Sequence, residues 1–150
     1  MNHRVYLEIG PKKVFACSVD WPGWCRIGKT EEAARTAALA RAAWAVFAEV
    51  AAASPEELRK GPRGGGRDRD KMVSHVVEAE RAYARKIGVR HKPFTGEAGL
   101  TAMRADITRA LSEPSGAFPP GGEGWPVRYA ARRVIWHVAD HIWKMEDRRI

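Results

Sequence analysis

Apolar positions recur at helical spacing through the second half of the chain. Val134, His137, Val138, His141, Ile142 and Met145 fall at offsets of 0, 3, 4, 7, 8 and 11, which is one face of a helix. Met72, His75, Val76, Ala79, Ala82, Tyr83 and Ile87 fall at 0, 3, 4, 7, 10, 11 and 15 and mark a second. Leu100, Met103, Ile107, Ala110 and Leu111 keep the period and predict a third helix over about 96–111. Thr30 suits an N-cap, Glu31 and Glu32 suit the positive end of the helix dipole, and the alanine-rich run to about Ala53 predicts the first helix.

The breakers set the limits. The second helix is expected from Asp68 or Asp70 to Ile87, where Gly88 stops it. The last is expected from a first turn containing Pro126 to about Asp147. Ser54-Pro55-Glu56-Glu57 carries a capping-box signature and predicts a short helical piece. Gly61 to Arg67 and Pro114 to Gly122 are too rich in breakers for regular structure; the first reads as a mobile basic loop. Val5 to Ile9 and Val14 to Val19 flank a Gly-Pro turn and predict a hairpin. The expected fold class is mainly α: a four-helix bundle preceded by a short N-terminal β-hairpin. It forms one domain over 1–150, with the hairpin and turn in 1–29 and the bundle in 30–150.

Composition adds bounds. Of 150 residues, 45% are hydrophobic and 29% charged, a globular mixture. No apolar run approaches bilayer length, and Met1-Asn2-His3-Arg4 lacks the apolar core of a signal peptide, so a cytoplasmic location without membrane association is expected. Cys17 and Cys25 are too few for a disulfide framework and are read as reduced thiols. Lysine and arginine (26) outnumber carboxylates (18), for a net charge of +8. That balance favours anionic partners, either nucleic acid or small acids and carboxylate-bearing thiols. The basic run has neither a recognition motif nor interleaved aromatics, which argues against nucleic acid.

The chemistry lies in the histidines. His75, His137 and His141 sit on the apolar faces of two helices, so their imidazoles are expected to point inward. Burying three imidazoles requires partners for their nitrogens. A metal supplies one, and neutral imidazole binds zinc, nickel, copper and iron. His137 and His141 lie four residues apart, one turn along one face, and three protein ligands leave a coordination position open. Satisfied core histidines are the alternative. His3 and His91 are not in phase with the others. Glu78, one turn after His75, is a candidate proton acceptor. Arg133, one turn before His137, and its neighbour Arg132 are candidates for binding a substrate carboxylate. Arg63 and Arg67 in the glycine-rich loop are candidates for holding an anion. For each of these, a solvated flank is the competing reading.

Two segments carry a resemblance. Met72 to Tyr83, with its single histidine, resembles the second helix of the DinB/YfiT-like metalloenzyme family. Trp136-His137-Val138-Ala139-Asp140-His141 resembles the HxxxH of that family's last helix. The likeness is greatest to actinobacterial DinB-like proteins with a GPRGGGRDRDK segment and a final RRxxWHVxDHxWxxEDR helix, here Gly61 to Lys71 and Arg132 to Arg148. It spans about residues 57–150. It implies an up-down-down-up bundle holding zinc, nickel or a similar divalent ion on His75, His137 and His141. It also implies an activity such as transfer or isomerisation dependent on a low-molecular-weight thiol, although many relatives have no established activity. Longer relatives carry extra sequence before the glycine-rich loop, so a shortened substrate wall is expected here. Val14 to Leu39 more weakly resembles HicB-like antitoxin domains, through Asp20-Trp21-Pro22-Gly23 and Gly28-Lys29-Thr30-Glu31-Glu32-Ala33. The expected function is a metal-dependent thiol transferase or related enzyme acting on a small anionic molecule or thiol. The alternatives are a non-catalytic metal-binding or interaction protein, homodimeric through the hairpin and the tryptophan-bearing faces, and an antitoxin-like nucleic-acid-associated module.

Overall fold

The computed structural model describes residues 4–9, 14–18, 25–28, 31–62, 64–113 and 124–149. Three strands, β1 (Val5–Ile9), β2 (Val14–Ser18) and β3 (Cys25–Gly28), precede four helices: α1 (Glu31–Ala52), α2 (Arg69–Lys86), α3 (Glu97–Leu111) and α4 (Val127–Glu146). The mainly helical class, the four helices and the N-terminal hairpin all match the expectation. Thr30, the turn residues 10–13 and 19–24, and the second breaker-rich loop at 114–123 lie outside the described residues.

The sheet is antiparallel in the order β1-β2-β3. Val5 pairs with Ser18 and Ile9 with Val14; across the other edge of β2, Val14 pairs with Gly28 and Cys17 with Cys25. The third strand is an addition to the expected hairpin: Cys25-Arg26-Ile27-Gly28 is short and shows no long alternation. Val14 and Ala16 point to one face and bury against Ala38, with Leu7 beside them, and so seat the sheet on α1.

Between the helices runs one core, formed by Trp44 and Phe47 of α1, Met72 and Val76 of α2, Met103 and Ile107 of α3, and Val134, Val138 and Met145 of α4. α4 touches all three other helices, most extensively α1 and then α2. Its length explains this: from Val127 to Met145 every third or fourth residue is buried, a face wide enough for several neighbours.

Local chemistry ends the helices. Ile87 is the C-cap of α2, Gly88 follows at φ 80°, and the Gly88 and Val89 amides donate to the Arg85 and Ala84 carbonyls. This left-handed glycine closes the helix as expected. Pro126, with φ −59° and ψ 144°, is the N-cap of α4, one place before the expected first turn. Residues 54–58 are not helical, which corrects the expected short piece at Ser54. The Ser54 hydroxyl donates to the Val50 carbonyl at 2.7 Å, and so serves the end of α1 instead of starting a new helix.

The glycine-rich stretch is irregular, but it carries its own bonds. Gly61 N–H donates to Gly65 and Gly64 N–H to Gly61. Asp68 accepts from the Leu58 amide at 3.3 Å and from Lys60. Arg59 donates from its amide to the Arg148 carbonyl at 2.8 Å and from its guanidinium to the Asp147 carbonyl at 2.9 Å. The loop is thereby tied to the residues just past α4.

An ion pair lies inside the bundle. Glu80 of α2 is fully buried and accepts two hydrogen bonds from Arg104 of α3, each 3.0 Å. The guanidinium also stacks 5.0 Å from the Trp44 ring centre. The Trp44 indole N–H is buried without a well-formed hydrogen bond, yet it faces the carboxylate and favours its ionised form. Burial raises the Glu80 pKa, and Arg104 opposes the rise. Removing one member of a buried pair strands the other, at about 3–5 kcal/mol. Arg104→Ala is therefore expected to lower stability by about 3 kcal/mol in urea denaturation. Combining it with Glu80→Leu should recover part of the loss, and equal stability of Arg104→Ala and wild type would contradict this.

Candidate metal centre

α2 and α4 pack so that His75 meets His137 and His141. The ring centres are 5.2 Å apart for His75 and His137, 5.0 Å for His75 and His141, and 4.4 Å for His137 and His141. One nitrogen from each ring lies within 4.8 Å of one nitrogen from each of the others. Two nitrogens bound to one zinc at 2.0–2.1 Å are at most roughly 4.2 Å apart, so small side-chain rotations close the group onto an ion. His137 and His141 are 8% and 4% exposed, and His75 is half-buried. Sequence phasing and structure agree on these three residues: they come together and could hold a metal.

Two details favour a cation. His141 Nδ1 lies 2.8 Å from the His137 carbonyl, a contact that places its proton on Nδ1 and leaves Nε2 with a free lone pair. His137 Nδ1 is buried and has no hydrogen-bond partner among the described residues. A buried orphan nitrogen is costly, and coordination by its ring would rationalise its position. The three residues therefore fit a divalent ion.

Electrostatics keep the rings neutral. Burial, helped by His141 and His75, pushes the His137 pKa down to about 4. Burial also lowers His141, although the bond to the His137 carbonyl opposes the shift. His75 is lowered first by burial and then by Arg67, with Glu78 acting the other way. Neutral imidazole is the ligand form, so the environment prepares these side chains for a metal near neutral pH.

Around the cluster stand groups of several kinds. A groove of about 460 Å³ is lined by Arg67, Asp70, Lys71, Ser74, His75 and Glu78. It leads from the loop and the first turns of α2 to half-buried His75. Arg67 and Glu78, both exposed, are thus brought to the site. Arg133 belongs to another wall: its guanidinium lies 5.7 Å from the Tyr83 ring centre and 5.2 Å from that of Trp136. Tyr83 meets His137 edge-on at 5.6 Å, and Trp125 continues the wall at 5.5 Å from Tyr83. Arg132 is exposed and is not brought into the groove. Arg63 lies outside the described residues.

Asp140 and Lys144 were not singled out in the sequence. Asp140 Oδ2 lies 3.5 Å from His141 Nδ1 and 2.6 Å from Lys144 Nζ. Lys144, with the bond it makes, holds the Asp140 pKa below the usual carboxylate range. Asp140 next to His141, with a lysine four residues on, is a local signal that could have revealed the pair. No family model, curated protein or solved structure matches the chain. Among the described residues no helix is long and apolar enough to cross a membrane.

A pH dependence follows from His137. Its folded pKa of about 4 lies below the ordinary 6.5, so between these values the unfolded chain binds the proton and the folded chain does not. Stability therefore rises with pH across that window and is lost on acidification. The loss for metal-free protein is expected to total about 3 kcal/mol from pH 6.5 to pH 4. Denaturant titrations of wild type and His137→Phe at several pH values check this; equal slopes in the two proteins would contradict the assignment.

Proposed function

We propose that this chain is a DinB-like metal-dependent protein that binds zinc or nickel through His75, His137 and His141. We further propose that it catalyses a transfer or isomerisation involving a small anionic thiol. The observation that carries the reading is the meeting of three imidazoles beside a groove lined by Arg67 and Lys71 together with Asp70 and Glu78. When bound, a divalent ion on three imidazoles acts as a Lewis acid with coordination positions left open.

The chain's own residues supply the rest. Arg67 and Lys71 attract and hold the anionic part of the substrate, Arg67 through paired hydrogen bonds to a carboxylate. Glu78, on the same groove, accepts the proton released when a thiol or water is deprotonated. Tyr83 and Trp125 wall the opposite side and keep bulk water from the imidazoles. Asp140, anchored by Lys144, orients His141.

Metal content tests the first half. Untagged protein should carry about one equivalent of divalent ion. His75→Ala, His137→Ala and His141→Ala should each lower the affinity by roughly a hundredfold or more. Wild-type protein with no stoichiometric affinity for zinc or nickel would sink the reading. Turnover tests the second half: metal-loaded protein is assayed with carboxylate-bearing thiols and an electrophile. Arg67→Ala should raise KM more than it lowers kcat. A rate equal to that of a triple-histidine variant would leave metal binding without catalysis.

A further inference from the structure

The face of α4 opposite the core carries an ordered row of aromatic side chains. Tyr129, Trp136 and Trp143 are 46%, 53% and 61% exposed and follow one another at intervals of seven residues. Seven residues is close to two turns, so the three rings stand in line along about 21 Å of helix. The buried positions Val134, Val138, His141 and Met145 lie on the other side of the helix. Single exposed apolar residues are ordinary, but an aligned row of large rings marks an interaction surface.

We propose that this face joins two copies of the chain, with their α4 helices antiparallel and Trp136 at the two-fold axis. An interface between identical copies must be self-complementary: where residue i meets j, j meets i. The row satisfies this. About Trp136, Tyr129 of one copy comes level with Trp143 of the other, ring against ring at both ends. The charges satisfy it too. At about 100° per residue, Arg133 and Asp140 lie on the same side of the row, about 60° and 40° from it, and at nearly equal heights below and above Trp136. The two-fold axis therefore sets Arg133 of each copy opposite Asp140 of the other. A parallel pairing sets Arg133 against Arg132 of the second copy, like charge against like.

Both charged groups are ordered before association. The Arg133 guanidinium lies over the Trp136 ring at 5.2 Å, and Asp140 is held by Lys144 at 2.6 Å. Little side-chain entropy is then lost on binding. The arrangement also places the centres. His137 and His141 lie farther round the helix on the same side as Arg133 and Asp140, so the axis puts both three-histidine clusters on one side of the pair.

Sedimentation velocity of the full chain over a concentration series tests the proposal. Wild type is expected to be dimeric at roughly 50 µM. Trp136→Glu should be monomeric there, with an unchanged far-ultraviolet circular dichroism spectrum showing that the fold persists. Arg133→Glu and Asp140→Arg should each weaken association roughly tenfold or more. Their combination should recover most of it, because the charges are exchanged across the axis. A monomeric wild type at every concentration would overturn the proposal. So would a dimer indifferent to Trp136→Glu, or a double exchange no tighter than either single one; the last result would fit a parallel pair or a different partner for the face.

Discussion

Packing α4 against α2 forces three imidazoles into one small volume, and much of the molecule answers to that constraint. Two of the rings are buried on the face of α4 that must also hold Val134, Val138 and Met145. A protonated ring there would be a buried cation, so burial drives all three toward the neutral form, joined by neighbouring histidines at His75 and His137 and by Lys144 at His141. Neutrality solves the charge problem but not the hydrogen-bond problem. His141 solves its own by turning Nδ1 to the His137 carbonyl. His137 has no such recourse among the described residues. A core that needed only packing would be better served by leucine at these positions.

The second polar feature of the core, Glu80 with Arg104, satisfies its partners internally. The carboxylate receives both arms of one guanidinium, with Trp44 stacked on the cation. Such a pair fixes how α2 sits on α3, because either charge left without the other would be stranded in the interior. The histidine cluster fixes α2 against α4. α2 is thus held on two sides by polar groups of opposite character, one pair complete within the chain and one group suited to an ion.

The helices at 72–87 and 134–145 were legible because their apolar positions repeat with one period over about three turns or more. The same phasing exposed His75, His137 and His141, since a histidine inside an apolar stripe stands out. Other features left weaker traces. β3 has four residues and no period to measure. Ser54 has the chemistry of an N-cap, but the Val50 carbonyl, one turn back, is a nearer partner than an amide of a following helix. Glu80 carries no mark of burial, because its partner Arg104 is 24 residues away in another helix. Asp140 and Lys144 lie beside His141 because that helix edge borders the site. The groove is assembled from a loop and a helix flank, and side chains such as Arg67 become neighbours of His75 through the path of the loop.

That path has a consequence for how the site comes together. The last carbonyls of a helix have no partners within it, and in α4 two carbonyls just past the helix, those of Asp147 and Arg148, are taken by Arg59. Arg59 stands at the start of the stretch that leads to Arg67. The chain just past the histidine-bearing helix is thus tied to the segment that leads to the Arg67 rim of its groove. A ligand that grips the rim would in turn tighten the helix end, so occupancy of the groove and order in the final turn are linked in both directions.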